Sequence, residues 1–116
     1  MHLPTEIFGD VVVVHAPDQL GGMEVDQFVN FLRQIHPKCV VLDLDAVEII
    51  DSAGLTAILD GQDLLREASG DLRIATSNHW NRKILEITRL SQGLEVFDSV
   101  IEAVKSYRQA PAGTNS

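Results

Sequence analysis

A chain of 116 residues has room for one domain with a true core and not for two. Its 17 acidic against 9 basic residues give a formal net charge of −8 with the basic ones scattered, which argues against nucleic acid and anionic membranes and for a partner protein with a basic patch. The longest apolar runs, Val11 to Val14 and Cys39 to Leu42, are far too short to cross a bilayer, and the one cysteine, Cys39, has no mate for an internal disulfide.

Met1 to Glu6 lacks the basic start and apolar stretch of a secretion signal, so a cytoplasmic location is expected. Val11 to His15 is a β-branched run of strand length after the turn-prone Gly9-Asp10, with Glu6 to Phe8 as a short hairpin partner. Pro17 to Gly22 reads as a loop. Val25, Phe28, Val29, Leu32 and Ile35 then recur at helical spacing, predicting a helix over roughly 22–36 that Pro37 closes. Cys39 to Leu44 is a nearly continuous apolar run, as suits a central strand covered on both faces.

After Val47, Ile49 and Ile50, a second helix begins near Ser52, expected to bury Leu55, Ile58, Leu59 and Leu65 and to wet Thr56, Asp60 and Asp63. Gly70-Asp71 ends it with a turn, and Leu72 to Thr76 alternates as a strand. Trp80, Ile84 and Ile87 space as a third helix, and Leu94 to Val96 offers a last short strand. Phe97, Val100, Ile101, Val104 and Tyr107 place a C-terminal helix ending near Arg108. Residues 1–109 are thus expected to be one α/β domain, residues 110–116 a disordered tail, and the chain a monomer.

Little in the sequence speaks for catalysis. The histidines His2, His15, His36 and His79 have no ligand spacing, so no metal is expected. Ser52 lacks the Gly-x-Ser-x-Gly setting of a nucleophile elbow, and Gly21-Gly22 lacks the third glycine and the lysine of a phosphate loop. Cys39, within a strand, reads as a small buried hydrophobe, and Trp80 as core, with an exposed anchor for a partner as the alternative.

Ser52 supports two readings. As a helix cap it would accept first-turn N–H groups, a contribution of roughly 0.5–2 kcal/mol. As a phosphoacceptor it would carry a charge of about −1.5 to −2 against the positive end of the helix dipole. Gly54 favours the second, because a glycine in the first turn costs about 1 kcal/mol relative to alanine and leaves bare backbone for a partner to approach.

Val40-Val41-Leu42-Asp43-Leu44, then Val47 to Leu55, then Gly70-Asp71-Leu72-Arg73-Ile74 closely resemble the STAS domain, the sulfate transporter and anti-sigma factor antagonist family. The similarity runs from Val11 to about Val104 and is most specific at Asp51-Ser52-Ala53-Gly54-Leu55. The resemblance implies a STAS fold, with a four- to five-stranded mixed sheet and helices packed mainly on one face. It also implies that Ser52 is phosphorylated by a partner kinase and that Asp51 positions it. Asp51, Ser52, Ala53, Gly54 and Leu55 would then bind the partner.

Asp18-Gln19-Leu20-Gly21 matches the family's Gly-Glu-Leu-Asp-like step, which adds Asp18 and Gly21 to that set, although Gly21 stands where the family has an acidic residue near the phosphoacceptor. On this resemblance the chain is a non-enzymatic antagonist without a cofactor. Unphosphorylated, it would bind an anti-sigma factor that is also a serine kinase; phosphorylated, it would let go, and a serine phosphatase would reset it. The alternative is a STAS subunit of an ABC-type phospholipid transport complex, docking on the ATPase.

Overall fold

The computed structural model describes residues 3–18 and 25–109 of the chain, with side chains for 3–18, 26–87 and 93–108. In chain order the elements are β1 (Thr5–Phe8), β2 (Val11–His15), α1 (Val25–Gln34), β3 (Cys39–Asp43), α2 (Ser52–Glu67), β4 (Asp71–Ala75), α3 (His79–Gln92), β5 (Glu95–Phe97) and α4 (Val100–Gln109). The strands form one five-stranded sheet in the order β1-β2-β3-β4-β5. The hairpin β1–β2 is antiparallel and the other pairings are parallel.

Each crossover from β2 onward steps the same way across the sheet, so right-handed connections place α1, α2 and α3 on one face. There Phe28 and Leu32 of α1, Ile58 and Leu65 of α2 and Leu85 of α3 pack with Val12, Val14, Val40, Leu42, Leu72 and Ile74. On the reverse face Ala103 and Val104 of α4 pack with Val11, Val13, Val41 and Ala75. Both faces are covered, which is why β2 and β3 read as near-continuous apolar runs rather than alternating ones. Three helices against one is the expected arrangement of helices mainly on one face.

Three expectations about burial are corrected. The inner face of α2 is Gly54, Ala57, Ile58, Gly61, Gln62 and Leu65, and Leu59 is only half-buried. Here α1 sets the face: a Cβ at Gly61 would run into Leu32 Cδ1, so a small residue occupies an inner position. Trp80 is not core; it is 68% exposed and Ile87 is 71% exposed, while Asn81 and Leu85 point inward from α3. In the last helix Phe97 belongs to β5 instead, and Ile101 faces solvent.

Cys39 opens β3 and is half-buried beside α4 rather than deep in the core. Burial pushes its thiol pKa up, as it does the Tyr107 hydroxyl, which donates to the Val40 carbonyl at 2.8 Å. Gly70 marks another close approach. A side chain there would overlap the Lys38 carbonyl, at the point where Asp71 N–H donates to that same oxygen.

Candidate functional site

His15, Asp43 and Ala75 lie side by side in the parallel register, so the segments that follow β2, β3 and β4 meet along one edge of the sheet. Open α/β sheets present their binding surfaces at this carboxyl edge. The β3–α2 connection, which delivers Ser52, is pinned at its start and its end. Leu44 N–H donates to Ala75 O at 2.9 Å, and Leu44, Val47 and Ile50 are buried as anchors.

The rest of the connection is held by polar side chains from the β4–α3 segment. Asn81, fully buried, accepts from Ile50 N–H through Oδ1 at 2.8 Å and donates to Val47 O through Nδ2 at 2.8 Å. Asn78 donates to Glu48 O at 3.0 Å and caps α3 by accepting from Asn81 N–H at 3.1 Å. Asp45 Oδ1 accepts from Ser77 N–H at 2.8 Å and Ser77 Oγ–H at 3.1 Å. With its backbone so tied, the loop turns Glu48, Ile49 and Asp51 outward.

α2 starts at the end of this loop, and its cap is Asp51, not Ser52. The Asp51 carboxylate accepts from Gly54 N–H at 2.7 Å and its backbone is extended, as an N-cap requires. Ser52 is therefore the first helical residue, exposed, with its carbonyl accepting from the Thr56 hydroxyl at 3.0 Å. Its hydroxyl is left available at the positive end of a helix 16 residues long.

Of the other sequence candidates, Ala53 is half-buried and Leu55 packs partly on the core. Gly54 is buried, so its backbone is not bare to solvent as expected. Asp18 is exposed and lines, with Asp45, Ala46, Val47, Glu48 and Asn78, a cleft of about 400 Å³. Gly21 lies outside the described residues. Carboxylates thus dominate this edge, and the cleft suits a cationic side chain from outside.

Farther along the edge, His15 Nδ1 lies 2.7 Å from Asp43 Oδ2 and Nε2 lies 2.9 Å from Glu6 Oε1. Burial lowers the His15 pKa, but the hydrogen bonds and charges of Glu6 and Asp43 together outweigh it and hold the imidazolium above its ordinary value. No group of three or more metal-ligating side chains is assembled among the described residues.

Sequence reasoning missed Ile49, Asn78 and Asn81. Nothing local marks the two asparagines, whose partners lie about 30 residues away in the chain. Trp80 was open to either reading, because Trp80-Ile84-Ile87 and Asn81-Leu85 are both helical spacings.

The STAS domain family model matches residues 2–103. No curated protein matches the chain in sequence. Among solved structures, a candidate anti-sigma factor antagonist from Thermotoga maritima superposes with a TM-score of 0.79 at 23% identity, over 91% of this chain and 94% of that one. An anti-sigma factor antagonist from Mycobacterium paratuberculosis gives 0.74 at 21% identity, over 92% and 93%. The anti-sigma factor antagonist SpoIIAA in its unphosphorylated form gives 0.69 at 16% identity, over 95% and 100%. At such identities the similarity speaks for the fold.

Proposed function

We propose that this chain, which belongs to the STAS domain family, is a phosphorylation-controlled binding module that antagonises an anti-sigma factor with serine kinase activity. The observation that carries the reading is Ser52 itself, an exposed hydroxyl on the first residue of α2, presented by a loop whose backbone is tied on both sides. Solved structures of the same fold that are named as anti-sigma factor antagonists support it.

The switch follows from charge and position. The unphosphorylated edge offers a neutral hydroxyl beside the Asp51 carboxylate, with Ile49 and Leu55 adding apolar contact. A phosphate would bring about −1.5 to −2 charge to a residue directly following that carboxylate. The helix dipole tolerates the added charge, so the fold stays intact, whereas a partner surface closed over a neutral serine does not. In this scheme the chain is a kinase substrate and carries no reaction of its own, and a serine phosphatase returns it to the binding state.

The test compares wild type, Ser52→Ala and Ser52→Asp as affinity baits, with retained proteins identified by mass spectrometry and folding checked by circular dichroism. A nucleotide-binding serine kinase held by wild type and Ser52→Ala but lost by Ser52→Asp is the expected result. An ATPase of a transport complex held equally by all three would refute the switch and make the domain a docking subunit of that complex.

A further inference from the structure

Among the described residues six large apolar side chains are exposed, and three of them, Ile49 at 66%, Trp80 at 68% and Ile87 at 71%, lie on α3 or on the loop that leads to Ser52. Trp80 and Ile87 are seven residues apart on α3, two turns along one face, about 10 Å at 1.5 Å per residue. Ile49 belongs to the loop that Asn78 and Asn81 fasten to the first turn of α3, and it stands three residues before Ser52. Tryptophan is highly buried on average, and tryptophan anchors are enriched where interfaces draw most of their energy. Nothing in the core requires this one.

We propose that Trp80 and Ile87 of α3, together with Ile49, form an apolar anchor site that adds a second contact to the one the anti-sigma kinase makes at Ser52. This rests on the reading of Ser52 as the switch and adds to it a surface that strengthens the hold on the same partner while Ser52 is unphosphorylated. The occupant is specified by charge. Asp45, Glu48 and Asp51 are exposed around Ile49, Asp18 joins them at the cleft, and of the two basic residues between Trp80 and Ile87, Lys83 is exposed while Arg82 is paired with Glu86 and Asp98. A complementary partner carries an apolar groove bordered by lysines and arginines, one of which enters the cleft beside Glu48. A second copy of this chain, at net charge −8, is a poor match.

Trp80 is the only tryptophan of the chain, so its own signal reports the site. The chain is labelled with 5-fluorotryptophan and titrated with the purified kinase that wild type retains, following the single fluorine resonance. The resonance is expected to move in step with binding. Trp80→Ala is expected to weaken binding by about 30-fold and Ile87→Ser by several-fold, with Trp80→Phe recovering part of the loss. In the phosphorylation assay Trp80→Ala should raise KM for the chain and leave kcat unchanged, because the anchor is remote from the transferred phosphate.

A resonance that stays put at saturation overturns the proposal, as does binding of Trp80→Ala within about twofold of wild type. Binding that tolerates Ser52→Asp but not Trp80→Ala would refute the switch and leave the anchor standing. A wild-type chain that retains no kinase refutes both, and a resonance that shifts with the chain's own concentration assigns the face to self-association instead.

Discussion

Replacing Asn81 by alanine tests how the loop before Ser52 is held. The side chain is fully buried and makes two short bonds, from Ile50 N–H and to Val47 O, both at 2.8 Å, with a longer one to Glu48 O at 3.4 Å. Alanine leaves a buried donor and a buried acceptor without partners, at about 1–3 kcal/mol each, so the loss of stability should be about 2–6 kcal/mol. A domain of this length loses roughly 3–6 °C of melting temperature per kcal/mol, which puts the expected drop between about 6 and 36 °C, near 18 °C at the midpoints. Asn81→Asp should be no better at neutral pH, since a carboxylate keeps the acceptor for Ile50 but sets an oxygen against the Val47 carbonyl. Unfolding is best followed by circular dichroism, because exposed Trp80 changes its surroundings little. Amide exchange at Ile50 should accelerate with it. A loss under about 0.5 kcal/mol with Ile50 as protected as in wild type would refute the reasoning.

Three further outcomes follow from features elsewhere in the fold. Because the His15 pKa is raised in the folded state, its contribution to stability is complete below the ordinary histidine value near 6.5 and fades as pH rises through the folded value. Wild type should therefore lose stability relative to His15→Gln as pH rises above about 6.5, and parallel curves in urea melts would count against the pairing of His15 with Glu6 and Asp43. Gly70→Ala should cost about 1–3 kcal/mol, as the new methyl group meets the Lys38 backbone, and a melting temperature unchanged by that variant would show that the turn relaxes freely. Cys39, with its thiol pKa pushed up by burial, should react with iodoacetamide at pH 8 at least about tenfold more slowly than in urea; equal rates would place the thiol in solvent.

The order of elements was legible because its signals are local: β-branched runs for β2 and β3, glycine turns at Gly9-Asp10 and Gly70-Asp71, and helical spacing between them. Right-handed crossovers then leave little freedom in where the helices go. Side-chain placement was less legible wherever a neighbour's shape overrides hydropathy. Gly61 faces inward because Leu32 needs the space, and Leu59 yields its inner position to Gln62.

At the candidate site, the Asp51-Ser52 pair was plain from the sequence, but which of the two caps α2 depends on a single residue of helix register. Gly54 was expected to expose backbone and instead turns inward. The supports of the loop, Asn78 and Asn81, answer to carbonyls and an amide far away in the chain, and a pair of asparagines in a helix start carries no sign of that. Trp80 shows the limit of periodicity, which says that a face exists without saying whether protein or water covers it.

The position of α4 has a bearing on how the two faces of the sheet are closed. Among the described residues it is the one helix on its side of the sheet, and it comes after every strand. Until Val100–Gln109 is in place, α1, α2 and α3 can seat themselves on the other face, but Val11, Val13, Val41 and Ala75 remain bare. Without its last helix the domain is thus a finished half with an adhesive back, and ten residues are what seal it. A message that stops short of Val100 would leave that back open for good, yielding a species that seeks other chains rather than a slightly weaker version of the same protein.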